Sequence, residues 1–248
     1  MTLPRSRHPT PCRYLHARRH CGHEGRLIAW RTARRTDRAS TPRRHDPPRR
    51  YTHVPEPPCA NSTASTATPA TLTGSTLILV DFQNTYTRGV MELDGWQASL
   101  DAAAQLLERA REAGTKVVHV INDGGEGTPY DIRAEIGRIH PAVAPADGEA
   151  VVVKQVPNAF HGTDLGEHVP EGQDVIVAGW MTHMCVAFTA QGAFLRGNRP
   201  TVVADACATR SLPVAGTDLD ACQVHYSALA TIGDLYGVVV ASQKEIAR

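Results

Sequence analysis

The sequence predicts an α/β fold, a three-layer, doubly wound, mostly parallel six-stranded sheet with helices on both faces. Three observations predict it. Short β-branched apolar runs recur from residue 76 to residue 241, and amphipathic stretches that end in glycine lie between them. The runs are apolar at successive positions rather than alternate ones, as strands buried on both faces require. Repetition of strand, helix and strand implies right-handed crossovers and helices on each side of the sheet.

In chain order, the first run is 76–81 (TLILVD), which ends in a carboxylate. The others are 115–121 (TKVVHVI), 151–154 (VVVK), 174–179 (DVIVAG), 200–205 (PTVVAD) and 237–241 (GVVVA). Residues 100–113 place Leu106, Leu107 and Ala110 on one helical face and stop at Gly114, a C-cap. Further helices are expected over 182–196, ending at Gly197, and over 218–232, ending at Gly233.

Charge divides the chain of 248 residues. Residues 1–75 hold 14 basic and 4 acidic groups, a net of +10, whereas residues 76–248 hold 12 and 21, a net of −9. The first part also has 10 of the 17 prolines, and its apolar residues show no sustained period. Such a segment cannot bury enough surface to offset the cost of ordering its backbone. Residues 1–75 therefore read as a disordered Arg/Pro/His-rich tail and linker, and residues 76–248 as the domain that carries the function. The tail suits either an Arg-rich, acid-poor transit peptide or an artefact of a start codon placed too far upstream, and the artefact is favoured.

No run of about 18 apolar residues exists, so no membrane span and no membrane partner are expected, and a cytoplasmic location is the expectation. Cys12, His16, His20, Cys21 and His23 offer zinc-type ligands, but their spacing fits no finger and no apolar residues flank them. The basic tail lacks the interleaved aromatics of a nucleic-acid module, so no nucleic-acid partner is expected. No GxGxxG or GxxxxGK[ST] follows a strand, which disfavours a nucleotide cofactor. The expected partner is a small-molecule substrate.

In doubly wound sheets ligands bind beyond the carboxyl ends of the strands. Asp81 ends the first strand, Lys154 the third, and Cys185 lies within two turns of the end of the fourth. A helix start favours a thiolate, which makes Cys185 a candidate nucleophile, with a buried small apolar residue as the equal alternative. A nearby carboxylate can take the thiol proton, and an ammonium can hold that carboxylate ionised.

DFQN with Asp81, the strand-ending Lys154 followed by Phe160, GWMTHMCV with Cys185 and the later VADACATR together resemble the isochorismatase-like cysteine hydrolases. The resemblance runs from about residue 76 to residue 246 and covers none of the first 75. It implies Asp81 as general base, Lys154 as its orienting group and Cys185 as nucleophile. It also implies an oxyanion hole at the backbone amides of Met181 and Cys185, a cis peptide between Trp180 and Met181, and homo-oligomers. Gln83, Tyr86 and Phe160 match positions that line the pocket, although each suits a core role as well. Nicotinamidases of this family bind a metal through an Asp-x-His pair and a further His; here Asp123 is followed by Gly124 and Gly125, and His140 stands alone. The expectation is no catalytic metal and no cofactor.

A thiol nucleophile favours amide cleavage through a thioester over vinyl ether hydrolysis, with ureide hydrolysis and a non-catalytic scaffold as further alternatives. Asp123, Glu126, Asp131 and Glu135 against Arg133 would form an acidic rim that draws in cations. Among family substrates that rim points to streptothricin, with solvated loop charge as the alternative.

Overall fold

In the computed structural model, which describes residues 68–248, strand β1 (Ser75–Val80) is buried along its whole length. Its run STLILV leaves no polar face for solvent, so it occupies the middle of the sheet. Around it stand β2 (Lys116–Asn122), β3 (Ala150–Lys154), β4 (Asp174–Trp180), β5 (Arg199–Ala208) and β8 (Val238–Val240), in the order β3-β2-β1-β4-β5-β8. All five pairings are parallel. The chain winds outward from β1 to one edge and from β4 to the other, so the switch in winding direction lies between β1 and β4. That crevice is where such a sheet binds ligands.

Helix α1 (Trp96–Glu112) buries Ser99, Leu100, Ala103, Leu106, Leu107 and Ala110, one stripe at helical spacing, and stops before Gly114 at φ 71°. A one-turn helix, α2 (Leu165–His168), precedes β4; α3 (Ala187–Leu195) and α4 (Ala221–Thr231) follow β4 and β5. The helix expected over 182–196 opens instead with a π-helical turn, Thr182–Val186. The one expected over 218–232 begins later, because β6 (Leu212–Val214) and β7 (Thr217–Leu219) form a hairpin through Ala215 and Gly216. Asp220 then caps α4 in a reciprocal bond with Gln223.

The domain starts before residue 76. Ala70 and Leu72 are buried, with their amides bonded to Thr201 Oγ1 at 2.9 Å and to the Ala247 carbonyl at 2.8 Å. Residues 1–67 of the expected tail, with its Cys/His cluster, lie outside the described residues. Among the described residues no helix is long and apolar enough to cross a membrane.

Candidate active site

Asp81 is the first residue past β1, and its amide donates to the Val120 carbonyl at 2.9 Å. Lys154 is the last residue of β3, two strands away, in register with Asn122 at the end of β2. Its long stem carries the ammonium across the end of β2 to Asp81 Oδ2 at 2.8 Å. The same nitrogen lies 3.4 Å from Cys185 Sγ, in the turn after β4. All three side chains are buried.

Backbone strain accompanies this convergence. Asp81 and Met181, which follow the ends of β1 and β4, have φ of 56° and 62°; among the described residues only Ala215, in the hairpin, joins them as a non-glycine with positive φ. A residue held there costs on the order of 1–3 kcal/mol and persists where the surroundings over-determine it. The left-handed Met181 turns the chain sharply from β4 into the π turn. No cis peptide occurs among the described residues, so the cis bond expected between Trp180 and Met181 is absent and the left-handed residue makes the turn. The Met181 carbonyl accepts from Met184 at 2.9 Å and from Val186 at 3.4 Å, passing over the amide of Cys185 between them. A π turn of this kind shifts the backbone out of helical register where a functional group must be presented.

Burial raises the Asp81 carboxyl above the ordinary carboxylate range, against the pull of Lys154. Burial, then the Asp81 charge, likewise pushes the Cys185 thiol up. For Lys154 burial works against the charge, but Asp81 and then Cys185 outweigh it and the ammonium is held. One cation and one anion balance here, and a thiolate would add an unpaired negative charge to a dry site. Burial and Asp81 thus both work against the thiolate that a helix start favours, one of the two readings the sequence left open.

Residues 75–234 match the isochorismatase domain family. The chain belongs to the isochorismatase family. An uncharacterized isochorismatase family protein of Bacillus subtilis is 36% identical over 168 residues, which cover 66% of this chain and 93% of the relative. A streptothricin hydrolase of Streptomyces noursei is 35% identical over 147 residues, 56% of each chain. A maleamate amidohydrolase of Pseudomonas putida is 31% identical over 192 residues, 67% of this chain and 83% of its own. The crystal structure of an isochorismatase from Pseudomonas putida KT2440 superposes with a TM-score of 0.68 at 34% identity, covering 73% of this chain and 93% of that one.

Beneath the site of this isochorismatase-family chain lies an aromatic layer. The Phe82 ring centre is 5.0 Å from that of Trp180, Tyr86 is 6.0 Å and Trp96 is 6.3 Å from it, and Trp180 Nε1 donates to Ser99 Oγ at 2.8 Å. Tyr86 is buried, and its hydroxyl sits 3.4 Å from that of Tyr130. Burial raises both phenols, with further contributions from Asp81 and Cys185, which places the pair beside the triad. Phe160 packs against the core with the Arg196 guanidinium 5.3 Å over its ring. Gln83 is fully buried and its amide is spent on backbone: it donates to the Asn122 carbonyl at 2.9 Å and the Gly137 carbonyl at 2.7 Å, and accepts from the Asn122 amide at 2.9 Å. It fastens the 123–139 loop to the strand ends and has no pocket-facing group to spare.

The acidic loop pairs part of its charge within the chain, while Glu126 and the Glu135–Arg88 pair stay exposed. Asp131 accepts from Arg133 Nε at 2.7 Å and from the Gly127 amide at 2.9 Å, which together hold its carboxyl down to about 2. Glu135 pairs with Arg88 and takes a bond from Asn84 Nδ2 at 3.0 Å, and Asp123 caps the Gly125 amide at 2.9 Å. His140 Nδ1 accepts from the Ala142 amide at 3.2 Å. Among the described residues no three His, Cys, Asp or Glu side chains gather as a metal site.

Sequence reasoning missed Asn122, Tyr130 and Arg210. Asn122 Oδ1 is 3.4 Å from Lys154 Nζ. Arg210, past the end of β5, acts electrostatically on Tyr130 and on His183. Its Nε is buried with no hydrogen-bond partner, and no carboxylate among the described residues forms an ion pair with it. The strand-end rule that nominated Asp81 and Lys154 would also have nominated Asn122; Arg210 carried no such signal beyond closing VADACATR.

Proposed function

We propose that this chain hydrolyses a C–N bond of a small amide or cyclic amide through a thioester on Cys185. The observation that carries the reading is the buried Lys154 ammonium, 2.8 Å from Asp81 and 3.4 Å from Cys185. On substrate entry Asp81 takes the thiol proton as sulfur attacks the carbonyl carbon. The oxyanion is received by the amides of Met181 and Cys185, in a site where such donors are worth roughly 3–4 kcal/mol each. Protonated Asp81 then returns its proton to the departing amine, leaving an acyl-thioester. Water attacks that thioester with Asp81 again as base, which releases the carboxylate and the thiol. Lys154 keeps a compensating positive charge beside Asp81 throughout.

A relative that hydrolyses streptothricin supports a cyclic amide such as the streptothricin lactam as the specific substrate, with inactivation of an antibiotic as the consequence. A second reading is favoured by Arg210. An unpaired guanidinium next to the tyrosine pair suits a carboxylate on the substrate, and the pairing of Asp131 with Arg133 and of Glu135 with Arg88 leaves only Asp123 and Glu126 of the acidic rim to draw in a cation. An amide that carries a carboxylate, as maleamate does, fits that guanidinium.

Cys185→Ala should lower turnover by on the order of 10³-fold or more while the fold persists. Mass spectrometry of wild-type protein quenched during turnover should find an acyl group on Cys185. Wild-type rates in the alanine variant would overturn the covalent mechanism. Streptothricin and maleamate assayed side by side, with Arg210→Gln, separate the substrate readings: loss of maleamate turnover alone supports the anionic one.

A further inference from the structure

An ammonium has three hydrogens to place. For Lys154 two directions are taken by Asp81 Oδ2 and Cys185 Sγ, and the third acceptor is Asn122 Oδ1 at 3.4 Å. Asn122 is itself held. Its amide and its carbonyl are both bonded to the Gln83 carboxamide, each at 2.9 Å, so the end of β2 is locked to the segment that carries Asp81. That lock engages only the main chain of residue 122, which leaves its side chain for Lys154.

We infer that Asn122 is a positioning residue for the reaction, its neutral side chain taking the third hydrogen of Lys154 and so fixing the ammonium between Asp81 and Cys185. The inference rests on the Asp81, Lys154 and Cys185 reading of the site and names the group that sets its geometry. Neutrality is the point of an amide here. A carboxylate at the same place would pull the ammonium away from Asp81 and the sulfur, and would add an anion to a site whose charges balance. A chain that needed only to fill space at the end of β2 would tolerate either.

The test uses the full chain and the rate of iodoacetamide alkylation at Cys185, followed by peptide mass spectrometry across pH, so no substrate need be known. Asn122→Asp should move the midpoint of the alkylation profile upward and slow the reaction at about pH 8 by about tenfold, which corresponds to about one pKa unit. Asn122→Ala should slow it about threefold or more, and Asn122→Ser, which restores an acceptor, should recover part of that loss. The main-chain lock survives all three changes, so melting of Asn122→Ala and Asn122→Ser should shift little, while the carboxylate of Asn122→Asp should lower it without unfolding the chain at the assay temperature. Superimposable alkylation profiles for wild type, Asn122→Asp and Asn122→Ala would overturn the inference. Retained turnover in Cys185→Ala would instead overturn the thioester mechanism, and the two failures are read from different experiments.

Discussion

Lys154 and Asp81 are each fully buried, which makes their pairing a question of desolvation as much as attraction. Removing one member leaves the other as an uncompensated buried charge, at a cost of about 3–5 kcal/mol, whereas removing both restores a neutral interior. Lys154→Met, which strands an ionised carboxylate, should therefore destabilise strongly; Asp81→Asn should cost less, because the carboxylate it removes is itself disfavoured by burial, and the double variant should be more stable than the sum of the two changes predicts. Urea denaturation of all four proteins measures the coupling, and strict additivity would show that the pair contributes nothing as a pair. All of these proteins except wild type should be inactive, since each lacks part of the proton-accepting arrangement. This pair was legible in the sequence because each residue ends an apolar run, and a polar side chain placed there has few positions besides the carboxyl edge of the sheet. Asn122 follows the same rule but has a side chain as common in turns as in sites, and nothing local marks its contact with a lysine 32 positions away. The upward push on the Cys185 thiol was not legible either, because it depends on how deeply the turn is buried and on the charges of its neighbours.

At the level of elements, the site depends on how closely β4 approaches β1. A Cβ at Gly179 would come within 2.5 Å of the Val80 carbonyl oxygen, and Val80 and Gly179 are partners in the parallel register. Only glycine lets the two strand ends lie this near, and Asp81 and the π turn emerge from them one and two residues later. Gly179→Ala should cost on the order of 1–3 kcal/mol, or about 2–12 °C in melting temperature for a domain of this size. It should also reduce turnover beyond that loss of stability, because the thiol and the carboxylate are pushed apart. Unchanged activity at temperatures well below melting would show that the strand ends relax without moving the catalytic groups. The six strands could be read because each is an unbroken apolar run between turn residues. The hairpin of β6 and β7 was missed because three-residue strands carry too little pattern to compete with a helical reading. Its local chemistry was nonetheless present: Ala215 and Gly216 have φ of 49° and 79°, a two-residue turn that glycine favours, and Asp220 with Gln223 is a capping box that starts α4 at residue 221.

Over the whole molecule, the buried ionisable groups set two acid responses with opposite signs. Burial pushes His225 down from 6.5 to about 4, so the folded chain stays neutral there while the unfolded chain binds a proton, and stability is lost as pH falls through that window. Glu149 is held down to about 2, first by Arg111 and also by the Ala146 amide and His119; its contribution is present above 4.5 and lost as pH falls towards 2. Asp81 works the other way. Its pKa is raised in the folded state, so it binds a proton before the unfolded chain does, and stability is regained as pH falls through the raised value towards 3.8. Under the proposed mechanism the same protonation removes the base that accepts the thiol proton. Activity should therefore fail on the acid side at a higher pH than the fold does, with far-ultraviolet circular dichroism still native where most turnover is gone. Glu149→Gln should lower stability at neutral pH and flatten its decline between 4.5 and 2, because the amide cannot titrate; Glu149 stands just before β3, at the opposite end of that strand from Lys154, bonded to Arg111 of α1 and His119 of β2. The acid limb of activity should stay where it is in that variant. Coincident loss of activity and structure in the wild type, with both moving together in Glu149→Gln, would show that acid inactivation is unfolding and that Asp81 does not titrate as the base.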